Sequence, residues 1–144
     1  MQQPRQYFEE IFHPRYYTRI GLRYQDMIVR SRIGLDGIAW NALLQPYILG
    51  ELGSNDIESS IVARFTQCLI NLSASQSQVR LGHGFGPDTE EGVPYVIDSD
   101  FFTDIKTEKG QVLDALDYFN KQSGRLFRWC ITPRLHAAMD PQQA

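Results

Sequence analysis

Two runs of period-2 alternation joined by a short polar stretch constrain this chain more than any other feature. From Ser60 to Leu72, the residues Thr66, Cys68, Ile70 and Leu72 fall on one side, and Ser73-Ala74-Ser75-Gln76-Ser77 turns the chain back. Val79, Leu81, His83 and Phe85 then form the apolar face of a returning run, with Gln78, Arg80, Gly82 and Gly84 opposite. Alternation at this period marks a strand, and two such runs around a polar turn predict an antiparallel hairpin.

Further strands are expected on either side of that hairpin. In Tyr16-Tyr17-Thr18-Arg19-Ile20-Gly21-Leu22-Arg23-Tyr24, geometry puts Tyr17, Arg19, Gly21 and Arg23 on one face and Thr18, Ile20, Leu22 and Tyr24 on the other, which is the core face. The run continues through Met27, Ile28 and Val29, with a bend near Gln25-Asp26 as one possibility. Val93-Pro94-Tyr95-Val96-Ile97-Asp98-Ser99-Asp100-Phe101-Phe102 reads as the strand after the acidic turn that follows the hairpin.

Two segments switch to helical spacing. Asp36 is positioned as an N-cap for a stripe of Trp40, Leu43, Leu44, Tyr47 and Ile48, although Pro46 implies a kink or a restart and Gly50 and Gly53 close the element. From Gly110 onward Leu116, Phe119, Leu126, Phe127, Cys130 and Ile131 lie between about 140° and 280° from Lys121, whereas Arg125 and Arg128 lie within about 40° of it. This is a long amphipathic C-terminal helix with a basic back. Ser123-Gly124 are placed to loosen it, and Thr132-Pro133 reads as a cap and first-turn proline that start a short terminal helix.

The order strand, helix, three strands, long helix predicts an α+β fold: an antiparallel sheet of about four strands with helices on one face. The 144 residues fit one domain, with about 1–15 and 140–144 as loose tails. A hydrophobic fraction of 42% and a charged fraction of 22% suit a globular chain and argue against disorder. No run approaches the roughly 18 apolar residues of a membrane span, and MQQPRQYFEE lacks the layout of a secretory signal, so a cytoplasmic location is expected. Cys68 and Cys130 each sit in an apolar run and are expected as packed core thiols.

A net charge of −3 argues against bulk capture of nucleic acid, but the charge is unevenly spread. Residues 1–34 hold Arg5, Arg15, Arg19, Arg23, Arg30 and Arg32 against Glu9, Glu10 and Asp26, while residues 86–117 hold nine acids against Lys106 and Lys109.

Four segments carry a resemblance: Arg19-Ile20-Gly21-Leu22-Arg23-Tyr24, Leu44-Gln45-Pro46-Tyr47-Ile48-Leu49-Gly50, Val96-Ile97-Asp98-Ser99-Asp100 and Leu126-Phe127-Arg128-Trp129-Cys130-Ile131-Thr132. Together they resemble a sporadically distributed family of uncharacterised prokaryotic proteins, with an R-x-G-L-R-Y strand, an L-x-P-Y helix, a D-x-D strand and a final helix ending in an I-T pair. The resemblance covers most of residues 16–139. Family members generally carry an extra strand-containing region before the first motif, and asparagine where this chain has Gln25-Asp26. The resemblance therefore implies the C-terminal part of such a protein or a short relative, with an unfilled sheet edge that favours pairing with a second copy or another chain. It implies an architecture and no substrate.

Several constellations have chemical potential. Arg19 and Arg23 around Gly21 suit a phosphate or carboxylate, but cross-strand pairing with Asp98 and Asp100 is the commoner use of such residues and the reading adopted here. Asp98, Asp100, Asp104 and Lys106, with Pro87-Asp88 upstream, form the residue set of a metal-dependent nuclease, although Asp88 falls in a Gly-rich turn. Cys68, His83, Cys130 and His136 contain no C-x-x-C or H-x-x-x-H pair, so no metal site and no cofactor are predicted. Gly82, Gly84 and Gly86 have no following helix and read as a strand that bulges or lies close to another backbone. Lys121, Arg125 and Arg128 beside Trp129 read first as a solvated face and second as a contact surface.

The expected function is a non-catalytic binding or regulatory module that meets a protein partner or its own copy through an exposed sheet edge, away from membranes. Candidate binding residues are Arg19, Arg23, Asp98, Asp100, Lys121, Arg125 and Arg128; no catalytic residue is assigned. The alternative is a metal-dependent phosphodiesterase using Asp98, Asp100, Asp104 and Lys106. The second alternative is nucleic-acid binding through the arginines of residues 15–32 and the basic helix.

Overall fold

The computed structural model describes residues 4–139. In chain order the elements are helix α1 (Pro4–Phe12), strands β1 (Tyr16–Tyr17) and β2 (Ile20–Ile28), helix α2 (Pro46–Leu49), strands β3 (Phe65–Leu72), β4 (Ser77–Phe85), β5 (Tyr95–Thr103) and β6 (Thr107–Glu108), then helices α3 (Val112–Cys130) and α4 (Pro133–Ala138). Four strands form one antiparallel sheet in the order β2-β5-β4-β3, and β1 pairs with β6 in a separate two-residue ladder. This is the α+β architecture expected from the sequence, with the long C-terminal helix against one face of a four-stranded antiparallel sheet.

The hairpin forms where the alternation places it. Leu72 stands opposite Ser77, the Ser75 amide donates to the Leu72 carbonyl at 3.1 Å, and Gln76 adopts a left-handed φ of 49°. β2 runs unbroken through Gln25-Asp26 to Ile28, pairing along its whole length with β5. Tyr16 and Tyr17 belong to a different ladder, so the alternating run is two strands and not one.

The largest difference from expectation lies between Asp36 and Gly53. The restart at Pro46, one of the two outcomes the sequence implies, is what occurs, but Asp36 caps no helix: a short 3-10 turn at Trp40–Ala42, with Ala39 at its N-cap, is followed by α2, then by a second turn at Gly50–Gly53. Pro46 is the cause. Its ring forces the preceding residue into the extended region, and Gln45 has φ −66° and ψ 149°, so a helix from Asp36 cannot pass through it and a new one starts with Pro46 in its first turn. The broken chain finds its hydrogen bonds across the end of α3: Gln45 N donates to Cys130 O at 3.0 Å and Thr132 N to Leu43 O at 2.9 Å. Four of the five residues of the expected apolar stripe enter the core, with Trp40, Leu43, Leu44 and Ile48 buried against Leu81, Tyr95 and Ile97, whereas Tyr47 is exposed.

A second cluster joins α3 to the other end of the sheet, where Val112 and Phe119 pack on Ile20, Val79 and Phe101. Ser123-Gly124 do not interrupt α3; its 19 residues span about 28 Å. At the start of α4, Thr132 Oγ1 accepts from the Leu135 amide at 3.4 Å, the cap that the sequence implied. The helix packs chiefly over β2 and β5, which leaves β3 largely uncovered. For that reason Cys68, expected as a core thiol, is exposed, whereas Cys130 is buried as expected.

Residues 4–12, within the stretch expected as a loose tail, form α1. Its Glu9 carboxylate accepts from Arg5 and from the Tyr17 hydroxyl and pairs with Lys109, while Tyr7, Phe8, Ile11 and Phe12 remain exposed. The expected tail at 140–144 lies outside the described residues. Among the described residues no helix is long and apolar enough to cross a membrane.

Candidate functional site

Strand pleating decides what the uncovered face of the sheet presents. Residues that alternate away from α3 are Gly21, Arg23, Gln25 and Met27 on β2, Val96, Asp98, Asp100 and Phe102 on β5, Gln78, Arg80, Gly82 and Gly84 on β4, and Phe65, Gln67, Leu69 and Asn71 on β3. The register sets Arg23 opposite Asp100 on one side, and Arg80 opposite Asp100 on the other.

The acids are matched one by one to arginines. Arg23 donates diagonally to Asp98, Nε to Oδ1 at 2.8 Å and Nη2 to Oδ2 at 2.5 Å, in the forked geometry that suits a carboxylate. Asp100 accepts from Arg80 Nη1 at 3.3 Å, and Asp104 accepts from Arg19 Nη1 at 2.7 Å. The Asp98 side chain is 15% exposed beneath an Arg23 side chain that is 63% exposed, so the guanidinium caps the carboxylate and not the reverse. The bond to Asp98 and its negative charge hold the Arg23 guanidinium above its ordinary pKa. Arg19 and Arg80 also sit over the ring of buried Phe102, at 4.2 and 5.6 Å from its centroid.

These side chains surround a depression of about 250 Å³ lined by Arg23, Phe65, Gln67, Arg80, Gly82, Asp98 and Asp100. Its floor exists because Gly82 has no side chain: a Cβ there would meet the Phe65 ring at 2.7 Å. The arrangement joins equal numbers of fixed positive and negative groups, each already hydrogen-bonded to its neighbour. A carboxylate held by a guanidinium fork is a poor base and a poor metal ligand without first losing that fork.

The structure brings Asp98 and Asp100 together on one strand face, with Arg23 as sequence reasoning expected. Arg19 reaches Asp104 and neither aspartate of β5. Arg80, whose place on the polar side of its strand was legible but whose partner was not, completes the row. Lys106 turns away from these acids, with Nζ 4.1 Å from the Tyr16 ring centroid, and Asp88 is exposed in the loop after β4. Among the described residues no group of three histidine, cysteine, aspartate or glutamate side chains is placed to hold a metal ion.

On the helix-facing side His83 is buried, and its Nδ1 lies 2.8 Å from Tyr95 Oη. Arg64 Nη1 donates to the same oxygen at 3.2 Å, and Arg64 Nε donates to Glu51 at 2.8 Å. Because Arg64 is a donor only, the Tyr95 proton is left for His83, which makes Nδ1 an acceptor and places the imidazole proton on Nε2. Burial, and then the positive charge of Arg64, lower the His83 pKa, so the ring is neutral. Burial pushes the Cys130 thiol up to about 12.

The basic back of α3 is divided. Lys121 is held by Asp117 one turn earlier at 2.7 Å, whereas Arg125 and Arg128 are exposed and make no ion pair among the described residues. Trp129 stacks on Tyr47, ring centroids 4.3 Å apart, and its carbonyl accepts from the Tyr47 hydroxyl at 2.6 Å. Three charges on one helix, one of them neutralised, make a narrow footprint for a polyanion.

Compared with known protein families, characterised proteins and solved structures, the chain matches none.

Proposed function

We propose that this chain is a non-catalytic binding or regulatory module that associates with protein, including its own copy, through an open sheet edge. The observation that carries this reading is β3. It ends the sheet, its outer edge meets no other strand among the described residues, and six of its eight residues are exposed. Unpaired edge amides and carbonyls are a template for another strand, and folded proteins that do not use such an edge normally block it.

The arginine-matched acids support this reading over a phosphodiesterase. A metal held by Asp98 and Asp100 would have to displace Arg23 and Arg80, and Lys106 is engaged elsewhere. The nucleic-acid reading draws less support, because Arg5, Arg19, Arg23 and Arg32 are each paired with an acid and so present little net charge to a phosphate backbone.

Light scattering at tens of micromolar tests the proposal. A mass above the 16.6 kDa of one chain, rising with concentration, is expected; a constant single-chain mass would contradict self-association. Magnesium or manganese is expected to leave the melting temperature unchanged, and a rise would favour the phosphodiesterase instead.

A further inference from the structure

Resting on that reading, we infer that the occupant of the β3 edge is β3 of a second copy, paired antiparallel about a two-fold axis at Leu69 to give a continuous eight-stranded sheet.

The sheet has two edges, and their sequences separate them. β2 carries Arg23 on its open face and half-buried Asp26 on its helix side, and α3 covers that inner face. Charges of this kind on an edge strand oppose strand addition. β3, Phe-Thr-Gln-Cys-Leu-Ile-Asn-Leu, contains no charge and no proline, and its ladder with β4 runs without a bulge from Phe65 opposite Gly84 to Leu72 opposite Ser77. None of the usual blocking devices is present.

The edge exposes apolar side chains on both faces. Phe65 and Leu69 are 59% and 55% exposed on the open side. On the helix side, half-buried Ile70 and Leu72 border a groove of about 280 Å³ that continues to Leu126 and Trp129.

An extended strand is the only shape that satisfies an open ladder, and self-complementarity points to an identical one. In an antiparallel pair about an axis normal to the sheet, opposed residues must share a face, so their numbers add to an even sum. With Leu69 opposite itself, Gln67 meets Asn71, Cys68 meets Ile70 and Thr66 meets Leu72. Amide then faces amide, Cys68 faces Ile70, the Thr66 side chain has a methyl group to set against Leu72, and two uncharged strands meet with no like-charge repulsion. Moving the axis to Cys68 sets Gln67 against Leu69 and Phe65 against Asn71; moving it to Ile70 sets Leu69 against Asn71. Both put amides against apolar side chains, and an axis at Gln67, which keeps amide on amide and Phe65 on Leu69, pairs only residues 65–69 of each strand where the Leu69 axis pairs residues 66–72, so Leu69 marks the axis.

The area sets the strength. Eight residues at about 3.4 Å each, across a sheet about 10 Å thick, present a cross-section of roughly 270 Å². That is well short of the ~800 Å² per partner of a standard interface, so the dimer belongs to the weak class, with a Kd in the micromolar range.

Sedimentation equilibrium from about 1 to 200 µM reads this directly. Wild type is expected to pass from monomer to dimer, and Leu69→Lys, which places like charges on the axis while touching no core residue, is expected to remain monomeric and folded, with a melting temperature lowered only slightly because the new charge stands opposite Arg80. In a Cys68→Ser background, Leu69→Cys is expected to form a disulfide-linked dimer under mild oxidation faster than Cys68 does in wild type. A Leu69→Lys dimer as tight as wild type, or faster cross-linking through Cys68, would overturn the pairing while leaving self-association intact. A wild-type monomer throughout would remove both.

Discussion

Arg23 stands directly opposite Asp100 in the ladder, yet its guanidinium forks onto Asp98, one pleat away, at 2.8 and 2.5 Å. The reason is competition. Asp100 is approached from the far side by Arg80, and two acids between two arginines on three strands divide into diagonal and direct pairs, so that neither carboxylate is left alone. The central strand thus carries its negative charge only because both neighbours carry positive charge.

A double-mutant cycle between Arg23 and Asp98 should report a favourable coupling that shrinks as salt is added, because the guanidinium lies at the surface. Removing Arg23 alone should cost more than removing both groups, since it strands a carboxylate that is mostly covered. Chemical denaturation of the two single variants and the double variant at low and high salt reads the result.

Gly84→Ala should be strongly destabilising, by more than ~2 kcal/mol, because its Cβ would lie 2.0 Å from the Arg64 carbonyl oxygen, a backbone atom that accepts the Phe85 amide at 2.9 Å. Gly21→Ala should stay within ~0.5 kcal/mol, since the nearest atom to its added carbon is 3.4 Å away and the residue faces solvent. Thermal or urea melts of the pair separate a close backbone approach from an ordinary strand glycine.

Stability should fall as pH is lowered through and below about 6.5, the ordinary histidine value, because the folded state holds His83 neutral while the unfolded state takes up a proton. The sign follows from the lowered folded pKa: the stabilisation is complete above the unfolded value and is lost on acidification toward the folded one. One group contributes a slope of at most ~1.4 kcal/mol per pH unit. His83→Gln keeps an acceptor for the Tyr95 hydroxyl and should flatten the melting temperature across that window.

One of the two thiols should react readily with a soluble thiol reagent in the folded protein. Cys68 is exposed on β3, whereas Cys130 is buried with its thiol held neutral by a pKa of about 12. The second equivalent should appear only in denaturant, and fast modification of both thiols in the native state would contradict the burial of Cys130.

What the sequence determined by itself is the part governed by local geometry. Period-2 spacing placed β3, β4 and β5 and assigned the sides of Arg23, Arg80, Asp98 and His83, because the side of a strand is a property of residue number alone. The 3.6-residue spacing placed α3, and Thr132-Pro133 marked the restart after it. Tertiary structure decided what depends on neighbours. Pro46 signalled a break, but only the bridge between Leu44 and Ile131 shows how the chain recovers its hydrogen bonds there. The sequence marked Arg19 and Arg23 as clamps for the aspartates of β5, but Arg19 lies beyond the end of the β2–β5 ladder and reaches Asp104, while register gives Asp100 to Arg80. Cys68 was assigned the helix-facing side, which is correct, and a buried environment, which is not. A strand carries no record of how far a helix extends across its sheet, and here α3 packs chiefly on β2 and β5 and reaches Val79 of β4, leaving β3 largely open to water or to another strand.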